Sequence, residues 1–469
     1  MSEEKTITLD YYGGAAGALI APIVFISGVI TLSLLGAPDE RGFWPILMFS
    51  LCLSLLLAKD KDRFCEAVIN GMSQPIVMIM ITAWMLASTI GVLMGLTGFV
   101  EALTWVANQL QLGHTFFVVA VFFVCVVVSV STGSSFGTIL ICGPLLFPAG
   151  GLLGVHLPTL AGAIIGGATF GDCIAPVSDT TIASALSQEA DIGGTVRTRL
   201  KYVVPAALLA LVVYAASSSM RSNELLTLQT QFEAKPLALV MVVVPIVIIF
   251  MLLKRKHLFY GLFAGLVAGI ITALLFGLLP PAKILSLDLE NFRATSFVID
   301  GINRAVGISF FTILLMGLVA SVKASGLLER LANFSSNKIT SARQAETWIA
   351  GSIGLVVLVV SHSIVAILTA SEFARQAGEQ MNINKYRRAN LLGLVVSTFP
   401  FILPYFIPVI LMSNATLSGS EFDIPSVSPL DVGLHNFFSW SLMLVTIFAI
   451  ITGYGRDSLP GKSTPEENS

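Results

Sequence analysis

Two aspartates flank a proline in the stretch GDCIAPVSDTT (residues 171–181), which directly follows the apolar run LPTLAGAIIGGATF. Asp172 precedes Pro176, and Asp179 follows it. Because proline removes a backbone hydrogen bond and clashes with the preceding turn, we expect a helix to break here. The break leaves carbonyls free on one half-helix and amides free on the next. Carbonyls beside a carboxylate suit a hard cation, so the stretch predicts a cation or proton site centred on Asp172.

Each of the two aspartates also has a structural interpretation. Asp179 lies where the second half-helix resumes, and an aspartate there is commonly an N-cap worth about 1 kcal/mol. Asp172 has the alternative of pairing with a buried arginine or lysine, but no basic residue lies in the apolar stretches near it. Intramembrane acids are by default functional. We therefore predict an ion or proton site, with Na+ as the metal at both aspartates, made of Asp172, Asp179, Ser178, Thr180 and Thr181.

A second polar cluster, SVSTGSSFGT (residues 129–138), interrupts another apolar run. Its hydroxyl side chains are Ser131, Thr132, Ser134 and Ser135, and its two glycines allow the chain to turn. These groups are suited to binding a cation or a substrate carboxylate. The alternative is a helix interface rich in small residues.

A third cluster, Ser361, His362 and Ser363, occupies the corresponding place later in the chain. His362 is the histidine deepest in apolar sequence, and histidine can carry a proton near neutral pH. The alternative is a neutral histidine bonded to a backbone carbonyl. Glu372 and Arg375, spaced i, i+3, are interpreted as a structural pair.

The fourth motif, STFPFILPYFIP (residues 397–408), contains three prolines and no carboxylate. We predict a second broken helix here, with Ser397 and Thr398 as its polar side chains. Because only the first break carries acids, the first-half motif is predicted to be the main ion site.

Composition defines the class of protein that holds these motifs. The chain has 469 residues, of which 55% are hydrophobic and 12% charged, with a mean hydropathy of +0.86. Soluble domains carry roughly 25% charged residues. The long apolar runs therefore predict an all-α polytopic membrane protein. A net charge of −2 gives no support for a nucleic-acid partner.

About ten segments are long enough to cross a bilayer, and two more are interrupted near their middles. The interrupted segments, 116–150 and 346–378, are predicted to be re-entrant hairpins, since irregular backbone is tolerated in a membrane only inside protein or beside a wet cavity. The predicted spans are 14–36, 43–58, 72–95, 157–187, 202–219, 236–253, 258–279, 300–322, 389–412 and 437–453.

The basic residues predict the orientation of these segments. With the N-terminus in the cytoplasm, 20 of the 26 Lys and Arg fall on the cytoplasmic side. These include the segments 59–63, 197–201, 254–257 and 385–388. The positive-inside rule thus predicts that both termini are cytoplasmic.

Similar segments recur at an offset of 226 to 230 residues, which indicates an internal repeat. VINGM (68–72) matches VIDGI (298–302), and IIGGATFGDCIAP (164–176) lies opposite LLGLVVSTFPFILP (391–404). Under the predicted topology the two copies face opposite sides of the membrane. Inverted repeats of this kind are typical of secondary transporters.

This repeat predicts the organisation of the chain. N-terminal helices (1–66) precede the first inverted repeat (67–219), which contains hairpin 116–150 and broken helix 157–187. Connecting helices (220–296) lead to the second repeat (297–453), which contains hairpin 346–378 and broken helix 389–412. A disordered cytoplasmic tail (454–469) follows.

The motif GDCIAPVSDTT resembles the signature of the NhaC family of sodium/proton antiporters, which reads approximately G-D-x-x-S-P-x-S-D-T-T. Ala175 stands where that family usually has serine, so one hydroxyl is missing. The resemblance implies two inverted repeats, each with a hairpin and a broken helix, and a homodimer as in related superfamily members. It also implies a substrate range that includes sodium, protons and organic acids such as malate and lactate.

These observations predict a secondary transporter of the cell membrane that exchanges Na+ for H+ by alternating access, with no cofactor. Its expected partners are the lipid bilayer, Na+ and H+. The alternative is an ion-coupled carrier of a small organic acid or amino acid. A dicarboxylate is disfavoured because no arginine lies in the apolar stretches. The sequence contains no metal-spaced histidines and no soluble catalytic domain, so it gives no support for an enzyme.

Overall fold

Helices make up nearly all the regular structure of the chain in a computed structural model. It describes residues 7–36, 40–111, 113–220, 236–254, 256–289, 293–327, 339–360 and 362–456. The first half contains α1 (Ala15–Leu34), α2 (Trp44–Leu57), α3 (Lys61–Met72), α4 (Pro75–Leu96), α5 (Phe99–Gln109), α6 (His114–Thr132), α7 (Ser135–Leu152), α8 (Leu157–Ile174), α9 (Asp179–Leu186) and α10 (Ile192–Met220), with a 3-10 turn at Glu40–Phe43.

The second half contains α11 (Val243–Leu253), α12 (Leu258–Leu275), α13 (Pro281–Ile284), α14 (Phe297–Ala324), α15 (Ala342–Val360), α16 (Ser363–Gln380), α17 (Lys385–Val396), α18 (Ile407–Ala415), α19 (Pro429–His435) and α20 (Phe437–Thr452). Its 3-10 segments are Pro236–Val242, Phe399–Phe401 and Thr416–Phe422. A small antiparallel hairpin, β1 (Ser286–Asp288) with β2 (Arg293–Thr295), precedes α14.

Within the described residues, eleven helices are long and apolar enough to cross a membrane, or twelve if the bent pair α19 and α20 is one span. Each of the ten predicted spans coincides with a helix or a broken pair of helices. The prediction of an all-α polytopic membrane protein is therefore confirmed. The helix at the predicted span 202–219 begins earlier than expected, at Ile192.

The polar interruption at Gly133 and Ser134 separates α6 from α7. A Cβ placed on Gly150, near the end of α7, would meet Phe117 at the beginning of α6. The chain therefore returns alongside itself as a helical hairpin, in the place where the sequence predicts one. That this hairpin turns inside the membrane stays a prediction.

The helices α15 and α16 form a second hairpin. Arg387 bonds Glu346 near the start of α15, while its neighbour Arg388 bonds Glu379 at the end of α16. Because these two arginines are adjacent, the outer ends of the hairpin lie side by side.

Two helical spans are interrupted where the sequence predicts breaks. Residues 175–178 separate α8 from α9, with Ala175 in an extended conformation. Residues 397–406, including the short 3-10 turn, separate α17 from α18. Proline lies in both interruptions and at the start of α18, where its missing amide costs no helical hydrogen bond.

The helix α14 packs against the end of α3 and runs antiparallel to α4. A Cβ on Gly71 would meet Ala320, near the end of α14, whereas one on Gly301 would meet Thr89, near its start. The matched segments 68–72 and 298–302 therefore lie at opposite ends of α14. This placement is what inverted repeats require, although the division of the chain into repeats stays a prediction.

Candidate functional site

The two hairpin tips and the two helix breaks converge on a single cavity of about 300 Å³. Each tip or break supplies polar side chains that the sequence singles out. Those that line the cavity are Ser134, Ser135, Asp172, Ser178, Asp179, Thr180, His362, Ser363 and Ser397.

Apolar side chains form the rest of the cavity wall. Ile76, Met80 and Trp84 come from the first three turns of α4, and Leu258 begins α12. The lining residues Ile76 and Leu258 lie at the beginnings of α4 and α12. The cavity therefore reaches the end of the molecule at which these two helices begin. Trp84 is buried and closes the wall deeper in the fold.

Asp172 lies in the last turn of α8, directly before the first break. Its Oδ2 accepts a hydrogen bond of 3.1 Å from the Oγ of Ser135, the first residue of α7. The carboxylate of the broken helix thus contacts the hydroxyl-rich tip of the first hairpin. Sequence reasoning predicts both residues, and the fold brings them together across 37 residues.

The second aspartate of the motif occupies the first turn of α9. Ser178 is the N-cap residue, and its Oγ lies 2.9 Å from the Oγ1 of Thr180. Asp179 is the first helical residue and is solvent-exposed where it lines the cavity. The alternative in which Asp179 is the N-cap does not match this arrangement, because Ser178 holds that position. A carboxylate in a first turn is also stabilised by the helix dipole.

His362 precedes α16 and lines the cavity. Its Nδ1 is buried and has no hydrogen-bond partner among the described residues. Nothing in the described structure therefore supports the alternative in which Nδ1 bonds a backbone carbonyl.

The remaining predicted site residues lie outside the cavity lining. Ser131 and Thr132 donate to backbone carbonyls of the first hairpin, at Val127 and Ser129 respectively. Thr398 donates to the carbonyl of Val395. Thr181 is buried and accepts from an arginine, as described next. Ser361 falls outside the described residues.

A buried arginine lies directly behind the first break, which corrects the inference that no basic residue is near the site. Arg199 is 1% exposed. Its Nη1 donates to the carbonyl of Cys173 at 3.1 Å and to Thr181 Oγ1 at 3.0 Å. Its Nη2 donates to Ser184 Oγ at 3.0 Å, and its Nε to Asn390 Oδ1 at 3.1 Å.

The sequence analysis missed Arg199 because it assigned RTRLK to a cytoplasmic loop, whereas α10 begins at Ile192. The spacing of buried residues along α10 could have revealed that Arg199 faces inward. Thr195, Arg199, Tyr202 and Ala206 recur at intervals of three or four residues and are all buried. The arginine therefore lies on the inward face of an amphipathic first half of α10.

Gly133 turns the first hairpin, and we predict that an alanine there destabilises the site. Its φ is +66°, and a Cβ would lie 2.5 Å from Val177 Cγ2 in the first break. Gly133→Ala is expected to lower the free energy of unfolding by about 1–2 kcal/mol, measured by thermal unfolding in detergent. The control is Gly113→Ala at the start of α6, where a Cβ meets nothing within 4 Å; equal effects of both changes would contradict the prediction.

The fold and the site together define a class: a multi-pass α-helical membrane protein whose polar site is built from interrupted helices, as in secondary transporters. The model of the Na+/H+ antiporter family matches residues 15–219, which include the first hairpin, the first break and Arg199. This region, which contains the motif GDCIAPVSDTT, is therefore similar to the Na+/H+ antiporter family.

Proteins with curated names are similar to parts of the chain. The chain is 26% identical over 208 residues to a "Malate-2H(+)/Na(+)-lactate antiporter" of Bacillus subtilis (strain 168), covering 42% of each chain. It is 28% identical over 185 residues to "Na(+)/H(+) antiporter NhaC" of Alkalihalophilus pseudofirmus, covering 38% of this chain and 37% of that protein. It is 32% identical over 154 residues to the NhaC of Bacillus subtilis, covering 32% and 31%. The matches thus span 42% or less of the length of these relatives.

Proposed function

We propose that this protein exchanges Na+ for H+ across the cell membrane by alternating access, and that the two cations compete for the carboxylate of Asp172. The observation that carries the proposal is the position of Asp172: at a helix break, in a cavity, and bonded to the hairpin tip through Ser135. Protonation and Na+ binding each neutralise the same carboxylate, so one ion excludes the other. Exchange follows when the cavity opens alternately to the two sides.

Oxygen atoms at the cavity supply the proposed Na+ ligands. Asp172 offers a carboxylate, and Ser135, Ser178 and Thr180 offer hydroxyls. Asp179 adds a second negative charge that attracts cations into the cavity. Among the described residues, no group of three or more His, Cys, Asp or Glu is arranged to hold a metal. A small carboxylate-and-hydroxyl site of this kind suits a transported monovalent ion that must also leave.

The proposed orientation has both termini in the cytoplasm and the cavity facing that side. The start of α12 follows the basic segment 254–257, and α4 follows α3 and the basic segment 59–63. The positive-inside rule supports a cytoplasmic position for these basic segments. A homodimer is also part of the proposal, on the resemblance to the family.

The test of this function is sodium-driven proton movement in vesicles loaded with a pH dye, with no organic solute present. Addition of Na+ to the wild-type protein is expected to move protons in the opposite direction. Absence of any response until a carboxylate or an amino acid is supplied would overturn the proposal.

The second candidate is an ion-coupled exchanger of a small organic acid or amino acid. It is supported by the cavity, which is larger than one ion needs and has an apolar wall, and by the relative named as a malate/lactate antiporter. None of the described residues that line the cavity is an arginine, and Arg199 donates its hydrogen bonds elsewhere, so the described lining offers no guanidinium to a dicarboxylate. A monocarboxylate or a zwitterion is therefore the better fit.

We predict that Asp179 acts on transport and not only on helix stability. Asp179→Asn is expected to lower the rate of exchange about tenfold, since a charge at the cavity is lost. Its unfolding temperature is expected to fall only slightly, because Ser178 holds the N-cap position and only the small interaction of Asp179 with the helix dipole is lost. The measurements are vesicle flux and thermal unfolding in detergent.

The matched control is Asp191→Asn at the start of α10, where Asp191 accepts from the amide of Gly194 away from the cavity. This variant is expected to keep the transport rate. If Asp179→Asn also transports normally, Asp179 has no part in the ion site.

A further inference from the structure

The carboxyl end of α8 already has a cation of its own. The last helical hydrogen bond of α8 runs from the amide of Ala175 to the carbonyl of Gly171, so the carbonyls of residues 172–174 have no helical partner. Arg199 donates to one of them, the carbonyl of Cys173. A guanidinium thus lies at the negative end of the half-helix dipole, where sequence analysis places the transported cation.

The same guanidinium joins three helices around the first break. Besides α8, it donates to Thr181 and Ser184 of α9 and to Asn390 of α17. The Nδ2 of Asn390 in turn donates to Thr198 Oγ1 at 2.8 Å, which fixes the acceptor. Arg199 therefore holds both halves of the first broken helix against the second broken helix.

All four hydrogen bonds of Arg199 go to neutral oxygens, and no carboxylate among the described residues accepts from it. A buried charge without a counter-charge is unfavourable. Asp172 directly precedes Cys173, the residue whose carbonyl accepts from Arg199. Its side chain lines the cavity, whereas Arg199 is not among the described residues that line it. The fixed positive charge of Arg199 therefore lies outside the cavity in which we propose that Asp172 binds the exchanged cation.

We propose that Arg199 is a positioning residue of the ion site, whose fixed charge also limits how tightly a cation is held beside Asp172. The inference rests on the proposed Na+/H+ exchange. The guanidinium stabilises the empty, ionised carboxylate and repels a bound Na+ through the break. Sodium then leaves readily, and the site can turn over.

The experiment compares Arg199→Gln with Arg199→Lys in vesicles at one alkaline pH, measuring the KM for Na+ and the maximal rate of exchange. Arg199→Gln removes the charge and is expected to lower the KM about tenfold while the maximal rate falls, because Na+ binds more tightly and leaves more slowly. Arg199→Lys keeps the charge and loses hydrogen bonds, so its KM is expected to stay within about twofold of wild type. Asn390→Leu, which removes the hydrogen bonds with Arg199 and Thr198 but no charge, is the matched control with an unchanged KM.

A purely structural role predicts a different pattern. If Arg199→Gln lowers the maximal rate and leaves the KM for Na+ unchanged, or if Arg199→Lys shifts the KM as much as Arg199→Gln does, the inference is wrong. If Arg199→Gln does not fold in detergent, the KM of Arg199→Lys for Na+ is the test. A value within about twofold of wild type supports the inference, and a larger shift overturns it. Wild-type protein that moves no protons in response to Na+ would instead contradict the proposed function.

Discussion

Asp172→Asn is expected to abolish sodium-driven proton exchange. Asparagine has nearly the same size and can still accept the hydrogen bond from Ser135. However, its side chain carries no charge and does not bind or release a proton near neutral pH. A cation and a carboxylate at contact distance attract each other by roughly 4 kcal/mol in a partly screened site. We therefore expect the rate to fall by about 100-fold or more, measured as the dye response of vesicles to added Na+.

The control for this change is Asp62→Asn, because Asp62 is exposed in the first turn of α3 and is not a cavity residue. It is expected to transport like wild type. Both variants are expected to unfold at the wild-type temperature in detergent. Substantial exchange by a folded Asp172→Asn protein would show that the cations bind elsewhere.

The second prediction with a large expected effect concerns the stability of the fold. It involves a buried cluster of charged residues around Glu346 that sequence analysis did not predict. Glu346 of α15 is fully buried and accepts from Arg387 Nη2 at 3.0 Å and from Arg456 Nη2 at 2.7 Å. Arg387 also donates to Tyr202 of α10 and to the carbonyl of Ala449 in α20. The cluster therefore ties the second hairpin to α10, α17 and the end of α20.

Glu346→Ala is expected to lower the free energy of unfolding by about 3–5 kcal/mol, because it leaves a buried guanidinium without its counter-charge. The measurement is denaturant or thermal unfolding of the purified protein in detergent. Transport is expected to decline together with the folded fraction.

An exposed ion pair serves as the comparison. Glu372 and Arg375 on α16 lie 2.8 Å apart, and both side chains are more than a third exposed. Glu372→Ala is expected to lower the free energy of unfolding far less than Glu346→Ala does, because water screens the exposed pair. Equal losses for Glu346→Ala and Glu372→Ala would contradict the assigned role of burial.

Much of this architecture could be predicted from local sequence. Each apolar run of sufficient length became a helix, because a chain in lipid must satisfy its backbone hydrogen bonds within the segment. Prolines and glycines marked both breaks and the first hairpin tip through their effects on the local backbone. The i, i+3 pair of Glu372 and Arg375 was also predicted, since its geometry depends on one helix alone.

The sequence by itself thus determined the spans, the interruptions and the acids at the first break, all of which depend on neighbouring residues. Only the tertiary structure decided what those interruptions face. It gathered four of them around one cavity, placed Arg199 behind the break, and buried Glu346 between arginines 41 and 110 residues away. Burial and charge pairing depend on contacts between helices that are distant in the sequence. The periodicity of a single segment therefore does not predict which helix it packs against.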